Sequence, residues 1–183
     1  MTTALRKPMS QAEFLDWEAR QEFRYEFDGF DPLAMTGGTF SHARIQHNLH
    51  LALGNRLRGT PCQYVGNDLK IEVAGSIRYP DGFVTCTPIE RGTVLVRNPV
   101  IVFEVLSPST ARTDRIIKAR EYQATPSIQR YVMLEQDFVG ATAFARHADA
   151  WTVQTLAEED TLALPEIEIA LPLAELYEGL SFN

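Results

Sequence analysis

Asp81, Glu104 and Lys118 are two acids and an amine whose settings along the chain could support chemistry on phosphate. Glu104 lies in PVIVFEVLSPST, inside an apolar, β-branched run that reads as a strand buried on both faces. An ionised carboxylate there costs on the order of several kcal/mol unless a cation or a set of donors meets it. Asp81, in YPDGFVT, sits at the mouth of a strand 23 positions before Glu104. If those strands pair, the carboxylates converge. Two carboxylates with water and a phosphate oxygen make the oxygen-rich shell that Mg²⁺ or Mn²⁺ prefers. Lys118 falls on the helix expected after Glu104, where an ammonium near an activated water can position the nucleophile or neutralise a scissile phosphate. Arg112, Arg115 and Arg120, offset by Asp114 and Glu121, give that helix a modest positive side able to meet a phosphate backbone.

Each of these residues also has a purely structural explanation. Glu104 can be a buried acid met by backbone donors or by an arginine. Asp81 alone is an ordinary turn acid of a Pro-Asp-Gly segment. Asp114, four residues before Lys118, has the spacing of a surface ion pair worth roughly 0.3–0.5 kcal/mol. Tyr122, four residues after Lys118, shares its face but needs no function as a core-edge aromatic. Ser107 and Ser109 lack the glycine-flanked nucleophile elbow, and helix capping explains them better. Gly37-Gly38 is too short for a phosphate loop.

The elements that must position these residues can be read in order. Ser10 and Glu13 fit a capping box, with Phe14, Leu15 and Trp17 on the short helix behind it. RYEFDGFDPLAM reads as a hairpin about Asp28-Gly29, with Glu26 on its first strand or exposed at its side. Ser41 is the expected cap of a second helix, on which Ile45, Leu49, Leu53 and Leu57 form a buried stripe. His42 falls on that stripe; His47 and His50 fall away from it and are expected to be solvated. Strands follow in CQYV, DLKIEV, DGFVT and IVFEVL. Ser109 or Thr110 then opens a helix to about Gln123, and RYVMLEQ, ATAFARH and WTVQTLA read as further strands. PLAELYEGL is a terminal helical turn turning Leu173, Leu176 and Tyr177 inward. This order predicts one domain over residues 1–183, an α/β (α+β) arrangement of a mixed sheet flanked by helices.

The formal net charge of −7 argues against a polyanionic partner only until its placement is considered. From Leu156 onward there are acids and no Lys or Arg, so the remainder of the chain is balanced and nucleic acid is not excluded. Cys62 and Cys86 make no recognisable metal or disulfide framework, and no long apolar segment marks a secretory signal or a membrane span. A cytoplasmic location, with no membrane partner, is the expectation.

YPDGFVTC and NPVIVFEVLSPSTARTDRIIKAREYQATPSIQRYVML, with the earlier RYEFDG and GGTFSH, resemble the Uma-two family of restriction-endonuclease-like proteins over about Ser10 to Tyr177. The resemblance implies the PD-(D/E)XK nuclease fold, a four-stranded mixed sheet flanked by helices, and metal-dependent hydrolysis of DNA phosphodiesters. By position, Asp81 matches the aspartate of the Pro-Asp pair and Glu104 the following acid, the two implied ligands of Mg²⁺ or Mn²⁺. Leu106 stands where the motif's lysine belongs, and the resemblance implies that Lys118 replaces it from the next helix. Glu26 matches an auxiliary acid and His42 a family histidine, as auxiliary candidates. Arg112 and Arg115 are the DNA-contact candidates, and a homodimer is expected because two sites meet two strands. The alternatives are a nucleic-acid-binding module that keeps the fold without the chemistry and, more remotely, a carboxylate-pair glycosidase needing neither lysine nor metal.

Overall fold

Ser10 starts the first described helix by closing both halves of the expected capping box with Glu13, and α1 (Gln11–Glu18) stacks Phe14 on Phe27 with ring centroids 5.0 Å apart. The computed structural model describes residues 9–182 apart from 36, 109 and 149, so Ser109 as a helix cap lies outside the described residues. The hairpin forms as read. β1 (Tyr25–Phe27) pairs with β2 (Pro32–Ala34), and Asp28 Oδ1 accepts from the backbone N–H groups of Phe30 and Asp31 to hold the turn.

α2 (Phe40–Arg56) carries the predicted stripe, with Ile45, Leu49 and Leu53 fully buried. Its cap is Thr39 rather than Ser41. The Thr39 hydroxyl accepts from the His42 N–H and donates to Gln136 Oε1 at 2.8 Å. That second, long-range bond is absent from the local pattern and fixes the helix start two residues early.

Among the described residues, eleven further strands follow the hairpin: β3 (Gln63–Gly66), β4 (Lys70–Val73), β5 (Ser76–Arg78), β6 (Gly82–Thr85), β7 (Leu95–Val96), β8 (Ile101–Val105), β9 (Arg130–Leu134), β10 (Gly140–His147), β11 (Ala150–Ala157), β12 (Thr161–Leu164) and β13 (Ile169–Pro172). The mixed α+β class is as expected, with the strands divided among sheets. One sheet runs β2-β1-β5-β4-β7, a second β11-β10-β9-β8-β6-β3, and β12 and β13 form a ribbon that the sequence reading did not anticipate. β8 and β9 are parallel, which requires a crossover. That crossover is the helix after Glu104. It contains a π-helical segment (Thr113–Lys118) running into α3 (Ala119–Ala124).

β8 is buried throughout, as its apolar run predicts. Its alternation divides the core. Ile101, Phe103 and Val105 pack with α2 and the C-terminal residues Leu173, Leu176 and Tyr177, whereas Val102 and Leu106 pack with Tyr122, Tyr131 and Met133 beside α3. The C-terminal acids partly fold back onto bases of the body: Glu166 pairs with Arg130 at 2.9 Å and Glu175 with Arg56 at 2.7 Å. Among the described residues, no helix is long and apolar enough to cross a membrane.

The reading that Cys62 and Cys86 make no disulfide framework is corrected: they form a disulfide. Gln63 and Thr85 are partners in the β3–β6 ladder, so the two cysteines stand opposite one another just beyond it. Only the strand register, which spacing does not reveal, brings them together.

Gly82 is fixed by close approach, because a Cβ there would lie 2.1 Å from the Tyr64 hydroxyl and 2.6 Å from its Cζ. Gly82→Ala is therefore expected to cost about 1–3 kcal/mol in urea unfolding, the usual range for overpacking. Much of the loss should return in the Gly82→Ala/Tyr64→Ala pair, and a pair no better than the sum of its single variants would refute the contact as the cause.

Candidate active site

Gly82 pairs with Phe103 in the antiparallel β6–β8 ladder, so Asp81 and Glu104, one residue further out on each strand, meet at its end. The Val105 N–H donates to Asp81 Oδ2 at 2.6 Å, and the Gln46 amide donates to Oδ1 at 2.6 Å. His42 Nε2 lies 3.3 Å from Oδ2. Its ring is backed by Gly38, where a Cβ would come within 2.9 Å of Nδ1, so the small residues before α2 make room for His42. Thus α2, through two residues one turn apart, fixes both oxygens of Asp81.

Glu104 shares its face of β8 with Val102 and Leu106, the face covered by α3. The Lys118 ammonium donates to Glu104 Oε1 at 3.0 Å and the Tyr122 hydroxyl donates to the same oxygen at 2.7 Å. Among the described residues, none donates to Oε2. Lys118 also lies 3.2 Å from Glu26 Oε1 and 3.2 Å from Asp114 Oδ1. The surface-pair reading of Asp114 and Lys118 is corrected, since they are only 1% and 6% exposed. Among the described residues Asp114 Oδ1 has no aligned hydrogen-bond donor, and it meets Lys118 as a buried ion pair. Both residues belong to the π-helical segment, a form of turn often found at functional sites.

Glu26 is buried rather than exposed on its hairpin. Phe27 pairs with Ile77, so Glu26 faces Arg78. Arg78, fully buried, reaches Glu26 Oε2 at 3.2 Å and grips Glu121 through Nε and Nη2, each at 2.7 Å. The arginine therefore ties β1, β5 and α3 together behind Lys118. Such a buried cation is tolerable only because its donors are met by carboxylates.

The electrostatics follow from this crowding. Burial raises the Glu104 pKa well above the usual carboxylate range, opposed by Lys118 and reinforced by Asp114, Asp81 and Glu26. Asp114 is raised for the same first reason, against the pull of Lys118. For Lys118, burial favours the neutral amine, but Glu104, Glu26 and Asp114 outweigh it and hold the ammonium. Burial likewise lowers the basicity of His42, yet the hydrogen bond and charge of Asp81 leave its pKa raised above 6.5.

Glu26, His42, Asp81, Glu104, Asp114 and Lys118 line one cavity of about 150 Å³. The structure thus brings together the three leading sequence candidates and both auxiliary ones. The DNA-contact candidates stand apart from that lining. Arg112 is exposed, whereas Arg115 is bonded to Glu135 at 2.6 Å. Ser107 accepts from the Thr110 N–H at the start of the crossover helix, a capping role. Leu106 is core, 3% exposed in the apolar cluster with Tyr122, and the ammonium beside Glu104 is that of Lys118 on the following helix. Sequence reasoning missed Asp114 as a wall of the site, and Gln46, Arg78 and Glu121 as supports. The only available signal was that Asp114 lies one helical turn before Lys118, a spacing shared by countless surface pairs.

Among the described residues, no three His, Cys, Asp or Glu side chains form a ready metal cage. Mg²⁺ does not require one, being commonly held by one or two carboxylates with waters and substrate phosphates. An all-oxygen acid set in which, among the described residues, no aligned donor meets Asp114 Oδ1 and the donors to Glu104 go to Oε1 is chemically suited to a hard cation.

Comparison with known proteins agrees with this architecture. The family model Uma2, described as putative restriction endonuclease, matches residues 11–174. The uncharacterized protein slr1290 of Synechocystis sp. is 34% identical over 178 residues, covering 95% of this chain and 94% of that protein. A second Synechocystis protein, sll1609, is 27% identical over 141 residues, covering 74% and 80% respectively. The crystal structure of a putative nuclease belonging to DUF820 from Anabaena variabilis has a TM-score of 0.77 over 93% of this chain and 98% of that chain. At 14% identity, that likeness is one of fold. With the family model spanning most of the sequence and slr1290 similar over nearly its whole length, the chain belongs to the Uma2 family of restriction-endonuclease-like proteins.

Proposed function

We propose that this chain is a divalent-metal-dependent nuclease that hydrolyses DNA phosphodiester bonds, with Asp81 and Glu104 as metal-holding acids and Lys118 as the assisting amine. The observation that carries the reading is the meeting of Asp81 and Glu104 at one strand end, with the Lys118 ammonium 3.0 Å from Glu104. A bound Mg²⁺ or Mn²⁺ supplies Lewis-acid chemistry, activating water and neutralising phosphate charge.

The protein's own groups do the rest. Gln46, His42 and the Val105 N–H hold Asp81 in a single orientation, and Tyr122 holds Glu104. Glu26 and Asp114 keep Lys118 charged, so that its ammonium is ready to orient the attacking water or to meet the charge that grows on the phosphoryl oxygens. In this reading Glu26 and His42 are positioning residues: one faces Lys118 and the other Asp81. Arg112 contacts the phosphate backbone, joined by Arg115 if it exchanges Glu135 for phosphate. The expected assembly is a homodimer, twofold symmetry being the commonest closed form.

The binding-module reading draws on one observation: Lys118 is already engaged by three acids, while Leu106 fills the usual lysine position. One experiment separates the two. The purified chain, incubated with supercoiled and single-stranded DNA, is expected to cut with Mg²⁺ or Mn²⁺ and not with chelator. DNA binding without turnover under any of these conditions would instead establish the binding module.

A further inference from the structure

The cavity holding Glu104 and Lys118 is not the only one that reaches Asp81. A groove of about 470 Å³, lined in part by Gln46, His47, His50, Tyr64 and Asp81, reaches it as well. Asp81 lines both cavities. Gln46, which belongs to the groove, is bonded to Oδ1; His42, which belongs to the smaller cavity, lies against Oδ2.

A compact substrate would occupy one of these spaces. A linear polymer passing over Asp81 would occupy both. The groove's lining also speaks to the kind of polymer. Among the described residues its lining holds no Lys or Arg, the residues that carry affinity for the phosphate backbone of duplex and single strand alike, so recognition here falls to ring faces. Instead it presents two exposed imidazoles, His47 and His50, one turn apart on α2. The His50 ring makes an edge-to-face contact with Tyr64, centroids 5.4 Å apart at 84°, which sets its plane. Flat rings are surfaces on which unstacked bases can lie, and base faces are available only in a single strand.

We infer that this groove is the binding site for the nucleotide next to the scissile phosphate, held unpaired with its base against His50 and His47, and that the substrate is a single-stranded nucleic acid segment. The inference rests on the nuclease reading for the position of the scissile phosphate, and it narrows that reading to a strand class. Both histidines are exposed side chains on a long helix, so their removal leaves the buried stripe of α2 intact.

The test is fluorescence anisotropy of a labelled single-stranded octanucleotide and of the duplex of the same sequence, with parent and His47→Ala/His50→Ala chains, in chelator and in Ca²⁺. The parent is expected to prefer the single strand, and the double variant to weaken that binding about tenfold, as loss of one stacked base does, while weakening the duplex much less. Equal losses on strand and duplex, no loss on the strand, or no binding of the strand by the parent would each overturn the groove assignment. Strand binding lost in the histidine variant, with no DNA cutting in any metal, would leave the groove standing and remove the nuclease reading. Metal-dependent cutting with strand binding unaffected by the histidines would do the reverse.

Discussion

Replacing Lys118 with methionine is expected to lower the unfolding free energy by about 3–5 kcal/mol at pH 8, the range measured when one partner of a buried ion pair is removed. The aliphatic stem survives in the variant, so the loss is one of charge. Lys118 is the cation nearest to Glu104 and Asp114, and it shares Glu26 with Arg78. Without it, the influence that pulls the Glu104 and Asp114 pKa values down disappears, and burial drives both further up. A carboxyl whose folded pKa exceeds its unfolded value adds stability below the unfolded pKa and loses it as pH rises through the folded pKa. The deficit should therefore be largest near pH 8 and shrink toward about pH 5, as the stranded acids take up protons. Urea unfolding of both chains at the two pH values measures it. A deficit below about 1 kcal/mol at pH 8, or one that does not change with pH, would show that the acids do not depend on Lys118.

That dependence was legible in the sequence only in part, and the reason is physical. Glu104 announces itself because a charge inside IVFEVL violates local patterning, and a buried charge must be answered from somewhere. Which group answers it is decided by the crossover. β8 and β9 are parallel, and the returning helix lays Lys118 and Tyr122 over the face that Glu104 shares with Val102 and Leu106. Strand alternation and helix spacing are local and were readable, so β8, α2 and the hairpin stand where patterning puts them. Register is not local. Asp81 meets Glu104, Glu26 meets Arg78 and Cys62 meets Cys86 through pairings that no single segment encodes.

The same distinction explains which site residues were missed. Asp114 looks like the acidic half of a solvated helix pair because its spacing from Lys118 is the commonest one for such a pair. It is buried because the segment winds as a π-helix there and presents both residues to the cavity. Arg78 sits in GSIRYP, a short strand with nothing in its neighbours to mark a fully buried guanidinium. Its partners, Glu26 and Glu121, come from 52 and 43 residues away. Strand order along the chain suggested that Asp81 and Glu104 could converge; the resemblance to a family added their expected role as a metal pair and implied that Lys118 stands in for the lysine missing at Leu106.

The largest effect on activity is expected from Glu104→Gln. The substitution keeps the length and shape of the side chain and an Oε1 that still accepts from Lys118 and Tyr122, the two donors that hold Glu104 now. It removes the charge that a divalent cation would need. Metal-dependent cleavage should fall by more than about 100-fold, the upper end of what losing a merely supporting residue costs. Stability should move the other way. Burial is the main cause of the raised Glu104 pKa, so ionising this carboxyl opposes folding near neutral pH, and the neutral amide is expected to leave the unfolding free energy unchanged or raise it by about 1 kcal/mol. Tyr122→Phe is the comparison variant. It leaves the carboxylate charged while removing one donor, so its cleavage loss should stay within about 10- to 100-fold. Supercoiled-plasmid cleavage in Mg²⁺ and Mn²⁺, read beside urea unfolding of the same preparations, measures both quantities. An amide variant that folds as well as the parent and no longer cuts assigns Glu104 to the chemistry; one that cuts like the parent assigns the buried acid to structure alone, and with it the meeting of Asp81 and Glu104 loses its catalytic meaning.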